Sequence, residues 1–200
     1  MKTTFRYQTF RARFVAGLVD SIVFIPLVIA DGFILQEGRP IVVLAIWSVI
    51  SYLSYGVYSV LMHAKYGQTL GKMVTKVKVL NEAETEVPGM KRAILRDSFY
   101  IATTLFSVIW FLRLLFTDGF TSAYYESSVN FYFGIFSIGW LLLELITMLM
   151  NSRRRAFHDF IGGTVVVNAP YIKEIEQARD GDAEEAVRLI LSFAPATPFL

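Results

Sequence analysis

Four apolar runs set the limits on what this chain can fold into. They cover roughly Phe14–Leu35, Ile41–Met62, Ser98–Phe116 and Phe131–Met150. Each is about 20 residues long, the length an α-helix needs to cross a hydrocarbon layer of about 30 Å. A segment in lipid finds no water for its peptide groups, so such runs form helices. The expected fold is therefore an all-α membrane protein, a four-helix transmembrane bundle. Composition agrees, since 54% of the 200 residues are hydrophobic and mean hydropathy is +0.49, too apolar for a soluble domain of this size.

Basic residues orient the runs. Lys2, Arg6, Arg11 and Arg13 precede the first. Lys65, Lys72, Lys76, Lys78, Lys91, Arg92 and Arg96 lie between the second and third, and Arg153, Arg154 and Arg155 follow the fourth. The turn at 36–40 has only Arg39, and the stretch from Thr117 to Asn130 has no basic residue. Both termini are expected in the cytoplasm of a multi-pass cell-membrane protein. The first run is too long for a signal-peptide core, contains Asp20 and Pro26, and is read as retained. The basic, aromatic leader is expected along the inner membrane surface.

Several functional classes are disfavoured. A net charge of +2 gives no pull toward nucleic acid. The absence of cysteine rules out disulfides and thiolate metal sites. His63 and His158 are the only histidines, too few for a histidine-only metal site. No nucleophile–base pattern marks an enzyme, and no cofactor is expected.

Ionisable residues inside the apolar runs are the candidate functional groups, because each costs on the order of 3 kcal/mol or more to insert. Arg13, Ala16, Gly17 and Asp20 share one helical face. Asp20 lies about 10 Å deeper than Arg13, and the small residues permit close approach of a second helix. Glu144 lies about 9 Å from the inner end of the fourth run. At similar depth, Asp20 and Glu144 could share a proton or hold a cation, or lie on opposite sides of the bundle. Pro26 is expected to kink the first helix. The second run has a hydroxyl stripe of Ser48, Ser51, Tyr55, Tyr58 and Ser59 that either joins helices or lines a wet path. Arg113 is expected to pair near the outer surface with Asp31, Glu37 or Asp118.

The segment 63–97 begins Tyr66-Gly67-Gln68-Thr69-Leu70-Gly71-Lys72. It is not a phosphate-binding P-loop: three residues separate the glycines, Met73 follows the lysine, and no strand precedes. Lys72 could point to Asp20 or to lipid phosphates. Alternation over Lys76–Val79 and the β-branched run Thr164–Val167 predict a short cytoplasmic strand pair. Met90–Asp97 reads as amphipathic, with Arg92 and Arg96 suited to the headgroup layer. After the fourth run comes His158-Asp159, either a proton-relaying pair or a turn cap beside the arginines.

Three blocks in this order around membrane spans resemble the RDD family of small membrane proteins. They are Arg13 with Asp20; Gly67-Gln68-Thr69-x-Gly71-Lys72; and His158-Asp159 followed by Gly163-Thr164. In the resemblance Arg13, Asp20 and Asp159 are the arginine and two aspartates of the family's name. It covers about residues 6–168 and points to a role in transport. The implied polar or ion site comprises Arg13, Asp20, Lys72, Glu144, His158 and Asp159.

The domains expected are an RDD-like transmembrane domain, 1–168, and a cytoplasmic amphipathic helical tail, 169–200. In the tail Asp182 and Glu185 precede an apolar stripe of Ala186, Leu189, Ile190 and Phe193. The functional expectation is a transporter or transporter component for ions or small solutes, coupled to Na⁺ or H⁺. Four helices enclose a solute path thinly, so a homo-oligomer is expected in the lipid bilayer. The alternative is a scaffold or accessory subunit that binds headgroups or partner proteins and moves no solute.

Overall fold

A computed structural model describes residues 6–119, 127–170 and 181, with side chains for all of these except 127–133. The elements run α1 (Phe10–Val23), α2 (Ile25–Ile34), α3 (Ile41–Tyr66), α4 (Leu70–Val74), β1 (Val77–Asn81), α5 (Gly89–Arg96), α6 (Ser98–Thr117), α7 (Ser127–Met150), α8 (Phe157–Ile161) and β2 (Thr164–Asn168). The amphipathic stripe at 182–193 lies outside the described residues.

Among the described residues, α3 and α6 are each long and apolar enough to cross a membrane. The α1–α2 pair makes a third such span if its bend is counted as one broken helix. The bend is 42° and falls at Phe24, with Pro26 in the first turn of α2. Proline has no N–H and its ring crowds the carbonyl four residues earlier, so the break lies just before it. The fourth apolar run is helical as α7, apolar over Gly134–Met150.

The extensive pairings are α1 against α4, α3 against α5, and α3 against α6. At one end of the α3–α6 pair Leu44, Phe111, Leu114 and Leu115 form a buried apolar cluster. The short helix α8 packs on α7. An aromatic stack also ties α7 in: Phe99 lies parallel to Trp140 with ring centroids 3.6 Å apart, and Phe157 meets Trp140 edge-on.

The strand pair forms. β1 and β2 are antiparallel, with Val77 opposite Asn168 and Asn81 opposite Thr164. Two strands alone are marginal in water. Here Val77, Val79, Val165, Val166 and Val167 are all fully buried. One face packs on Ala12 and the other on Tyr7. The leader therefore departs from the surface-lying path its composition suggests. From Arg6 onward it is folded into the protein: Thr9 is fully buried, and Tyr7 Oη donates to Glu84 Oε1 at 2.6 Å. The apolar faces of a two-stranded sheet need cover, and residues 7–12 supply part of it.

Candidate functional site

The glycine-containing loop after α3 forms the seat of Asp20. Gly67 ends α3 in the left-handed conformation, φ +66°, and its N–H donates to the His63 carbonyl. Gln68 Nε2 donates to the Val77 carbonyl at 2.9 Å, tying the loop to β1. Thr69 caps α4, and its hydroxyl donates to Asp20 Oδ2 at 2.6 Å. Gly71 N–H donates to Asp20 Oδ1 at 2.8 Å. Tyr58 Oη, from α3, donates to the same oxygen at 2.8 Å. A Cβ at Gly71 would lie 2.0 Å from the Ala16 carbonyl oxygen. The close approach expected beside Asp20 thus occurs, but between Ala16 and Gly71 rather than at Gly17, which has open space around it.

Arg13 and Asp159 close a second knot. Arg13 Nη1 donates to Asp159 Oδ2 at 2.6 Å, Nη2 to the Arg154 carbonyl at 3.3 Å, and Nε to Thr9 Oγ1 at 3.1 Å. Asp159 is fully buried. It also accepts from Arg96 Nε at 3.2 Å, Thr164 Oγ1 at 3.3 Å and the Ala156 N–H at 3.0 Å. The last contact caps α8, so Asp159 is both helix cap and counter-ion. Burial pushes its carboxyl up, but Arg13 and Arg96 outweigh that and hold it well below the usual carboxylate range.

Two histidines complete the site in parallel fashion. Arg96 Nη2 lies 2.8 Å from His158 Nε2. A guanidinium only donates, so Nε2 accepts, which leaves the Nδ1 proton for the Glu144 carboxylate it touches. Across the cavity, Lys72 Nζ contacts His63 Nε2. His63 Nδ1 lies 3.2 Å from Ser59 Oγ, which donates to Asp97 Oδ2 at 2.6 Å. Burial, then Arg96, hold the Lys72 amine well below the usual lysine range. Burial opposes ionisation of Asp97, yet the His63 hydrogen bond and Arg96 draw its carboxyl below the usual range.

These groups surround a cavity of about 300 Å³. Arg13, Asp20, Lys72 and His158 line it. Glu144 and Asp159 do not; they lie behind, as partners of His158 and of the two arginines. Asp20 and Glu144 are not a shared carboxylate pair, since each has its own donors. Lys72 turns to His63, not to Asp20 or outward.

Sequence reasoning missed three members, Arg96, Asp97 and His63. The amphipathic pattern places Arg96 in the headgroup layer, but the residue is 4% exposed. A signal was available: Arg96-Asp97 directly precedes an apolar run, where a charge pair enters the boundary of the span. The hydroxyl stripe of α3 also resolves. Tyr58 holds Asp20, Ser51 holds Asp31 at 2.9 Å and Ser59 holds Asp97, while Tyr55 lines the cavity. Asp31 further accepts from Trp47 Nε1 at 2.7 Å, so indole and hydroxyl groups hold it in place of the expected arginine. Arg113 lies over the Trp110 ring.

Apolar helices enclosing a buried, internally paired ionic cavity define a helical membrane protein. The model of the RDD family matches residues 7–163, and the chain belongs to that family. No curated protein and no solved structure matches it.

Proposed function

We propose that the chain crosses the cell membrane four times, with both ends cytoplasmic, and serves as a transporter or transporter component coupled to protons. The observation that supports this is the pair of acid–histidine–cation chains, Asp97/Ser59–His63–Lys72 and Glu144–His158–Arg96, bordering one cavity. Imidazole accepts a proton on one nitrogen as it releases one from the other. A proton reaching His63 Nε2 through Lys72 would leave Nδ1 by way of Ser59 toward Asp97. Na⁺ coupling through Asp20 is less favoured, because hydroxyl and amide donors already occupy both carboxylate oxygens. Catalysis plays no part in this reading. A homo-oligomer in the bilayer would enclose the solute path.

The test is solute flux in proteoliposomes under an imposed pH gradient. Gradient-driven flux that falls in both His63→Gln and Glu144→Gln supports the proposal. Absence of flux from the unmodified protein against a panel of ions and small solutes overturns it. One observation favours the second reading, a non-transporting scaffold: Asp20 and Asp159 are each saturated by internal donors from distant segments, as structural ties would be.

A further inference from the structure

We propose that the groove between α3, α5 and α6 binds one anionic phospholipid, with an acyl chain in the groove and the phosphate at Lys65 and Lys91. This requires only that the chain lies in a bilayer, whether or not a solute moves. The groove has a volume of about 360 Å³. Its α3 wall is Leu53, Gly56, Val57, Val60 and Leu61, the spacing of one helical stripe. The stripe continues to Lys65, four residues past Leu61. The facing walls include Ile94 of α5 and Ile101 of α6. Lys91 lies one turn before Ile94, on the same side of α5. Two contacts fix the register of α5 beside α3. Asp97, just past α5, accepts from Ser59 at 2.6 Å. Val87, just before α5, abuts Gly67, where a Cβ would lie 3.2 Å from Val87 Cγ1. α5 therefore runs antiparallel along the last two turns of α3, which brings Lys91 to the level of Lys65.

Length, exposure and charge identify the occupant. From Leu53 to Lys65 the stripe spans about 18 Å along the helix axis. One leaflet contributes about 15 Å of hydrocarbon. The apolar wall thus matches acyl depth, and the two cations fall where phosphates begin. Val57, Leu61 and Ile94 are each about half exposed, so among the described residues no protein segment covers the groove. Lys65 and Lys91 are exposed. Lys65 Nζ lies 5.3 Å over the Tyr66 ring, and among the described residues neither lysine is in an ion pair. Two ammonium groups with no carboxylate partner favour a lipid of net negative charge over a zwitterion, whose own ammonium they repel. A second copy of the chain fits less well. A dimer two-fold about the membrane normal at this groove would set the same lysines against their counterparts.

The test counts bound lipid by native mass spectrometry. The full chain in a sugar-headed detergent is titrated with phosphatidylglycerol and, separately, with phosphatidylcholine of the same acyl chains. One phosphatidylglycerol is expected to be held about tenfold more tightly than phosphatidylcholine. The double variant Lys65→Gln/Lys91→Gln should remove that preference. Arg11→Gln, which removes an exposed cation on α1 outside the groove, should keep it. Val57→Trp adds bulk at a groove wall and should weaken retention of both lipids. All four positions are exposed, so these variants leave the buried packing intact. Equal retention of the two lipids overturns the proposal. So does a preference that survives the double lysine variant, or one that Arg11→Gln removes equally, which would reflect net charge alone. Retention unchanged in Val57→Trp also overturns it, as does a dimer that this variant disrupts and lipid does not displace, which would make a second copy the occupant.

Discussion

Arg13 Nη1 and Asp159 Oδ2 are 2.6 Å apart across 146 positions of sequence. The pair joins the first turn of α1 to the segment after α7, and Arg96 adds a third point from α5. Removing one member of such a buried set leaves charge without a partner. Asp159→Asn is expected to lower stability by about 3–5 kcal/mol, read as thermal unfolding in detergent. Arg13→Lys should also destabilise, because one ammonium cannot reproduce contacts made by Nη1, Nη2 and Nε in three directions.

The Gly71 contact gives a second test. Gly71→Ala would place a methyl against the Ala16 backbone at 2.0 Å and Asp20 Cγ at 2.9 Å, so α4 must move away and the Asp20 seat opens. Gly17→Ala meets nothing within 4 Å and improves helix propensity by about 0.5–1 kcal/mol. Melting temperature should fall sharply for the first and hold or rise for the second. Equal behaviour would place the close approach elsewhere.

Asp20 offers a chemical discrimination. Its Oδ1 accepts from Tyr58 and Gly71 N–H, while Oδ2 accepts from the rotatable Thr69 hydroxyl. Asp20→Asn can keep the first two contacts and turn the hydroxyl to accept. Asp20→Ala leaves the Gly71 N–H and the protons of two hydroxyls without their acceptor. Alanine should therefore cost more than asparagine by about 1–3 kcal/mol, measured by denaturant or thermal unfolding. Should asparagine be the worse of the two, the ionised form, rather than the acceptor geometry, is what the fold requires.

Acid provides a fourth. The Asp159 and Asp97 carboxyls are held below their unfolded values by basic neighbours and hydrogen bonds, so the native state binds fewer protons than the unfolded chain near pH 4. Their contribution is complete above the unfolded pKa of about 3.9. It is lost as pH falls through the folded values. Melting temperature should fall steeply below about pH 4, and Asp159→Asn should flatten that limb.

Much of this architecture was legible in the residues because lipid imposes strict rules. Apolar length located α3 and α6, Pro26 located the bend, and β-branched alternation located the strands. The site was half legible. Depth along one helix is readable, so Arg13 and Asp20 stood out as charges near a span. Angle about the helix axis is not readable, and this is why Asp20 and Glu144 invited a pairing that the fold does not make. Arg96 was misplaced for a related reason. An amphipathic helix at a membrane boundary looks the same whether its basic residue meets headgroups or, as here, turns inward to Asp159 and His158.

The sheet of β1 and β2 has a consequence for biogenesis. β1 emerges early from the ribosome, while its partner begins only at Thr164, five residues after the counter-ion of Arg13. At bacterial or eukaryotic synthesis rates the first helix waits on the order of ten seconds for those groups. Until then its arginine and a bare strand edge stay open to insertion factors or chaperones. Nascent chains arrested before Thr164 should be the ones such factors retain, and release should coincide with arrival of the final valines.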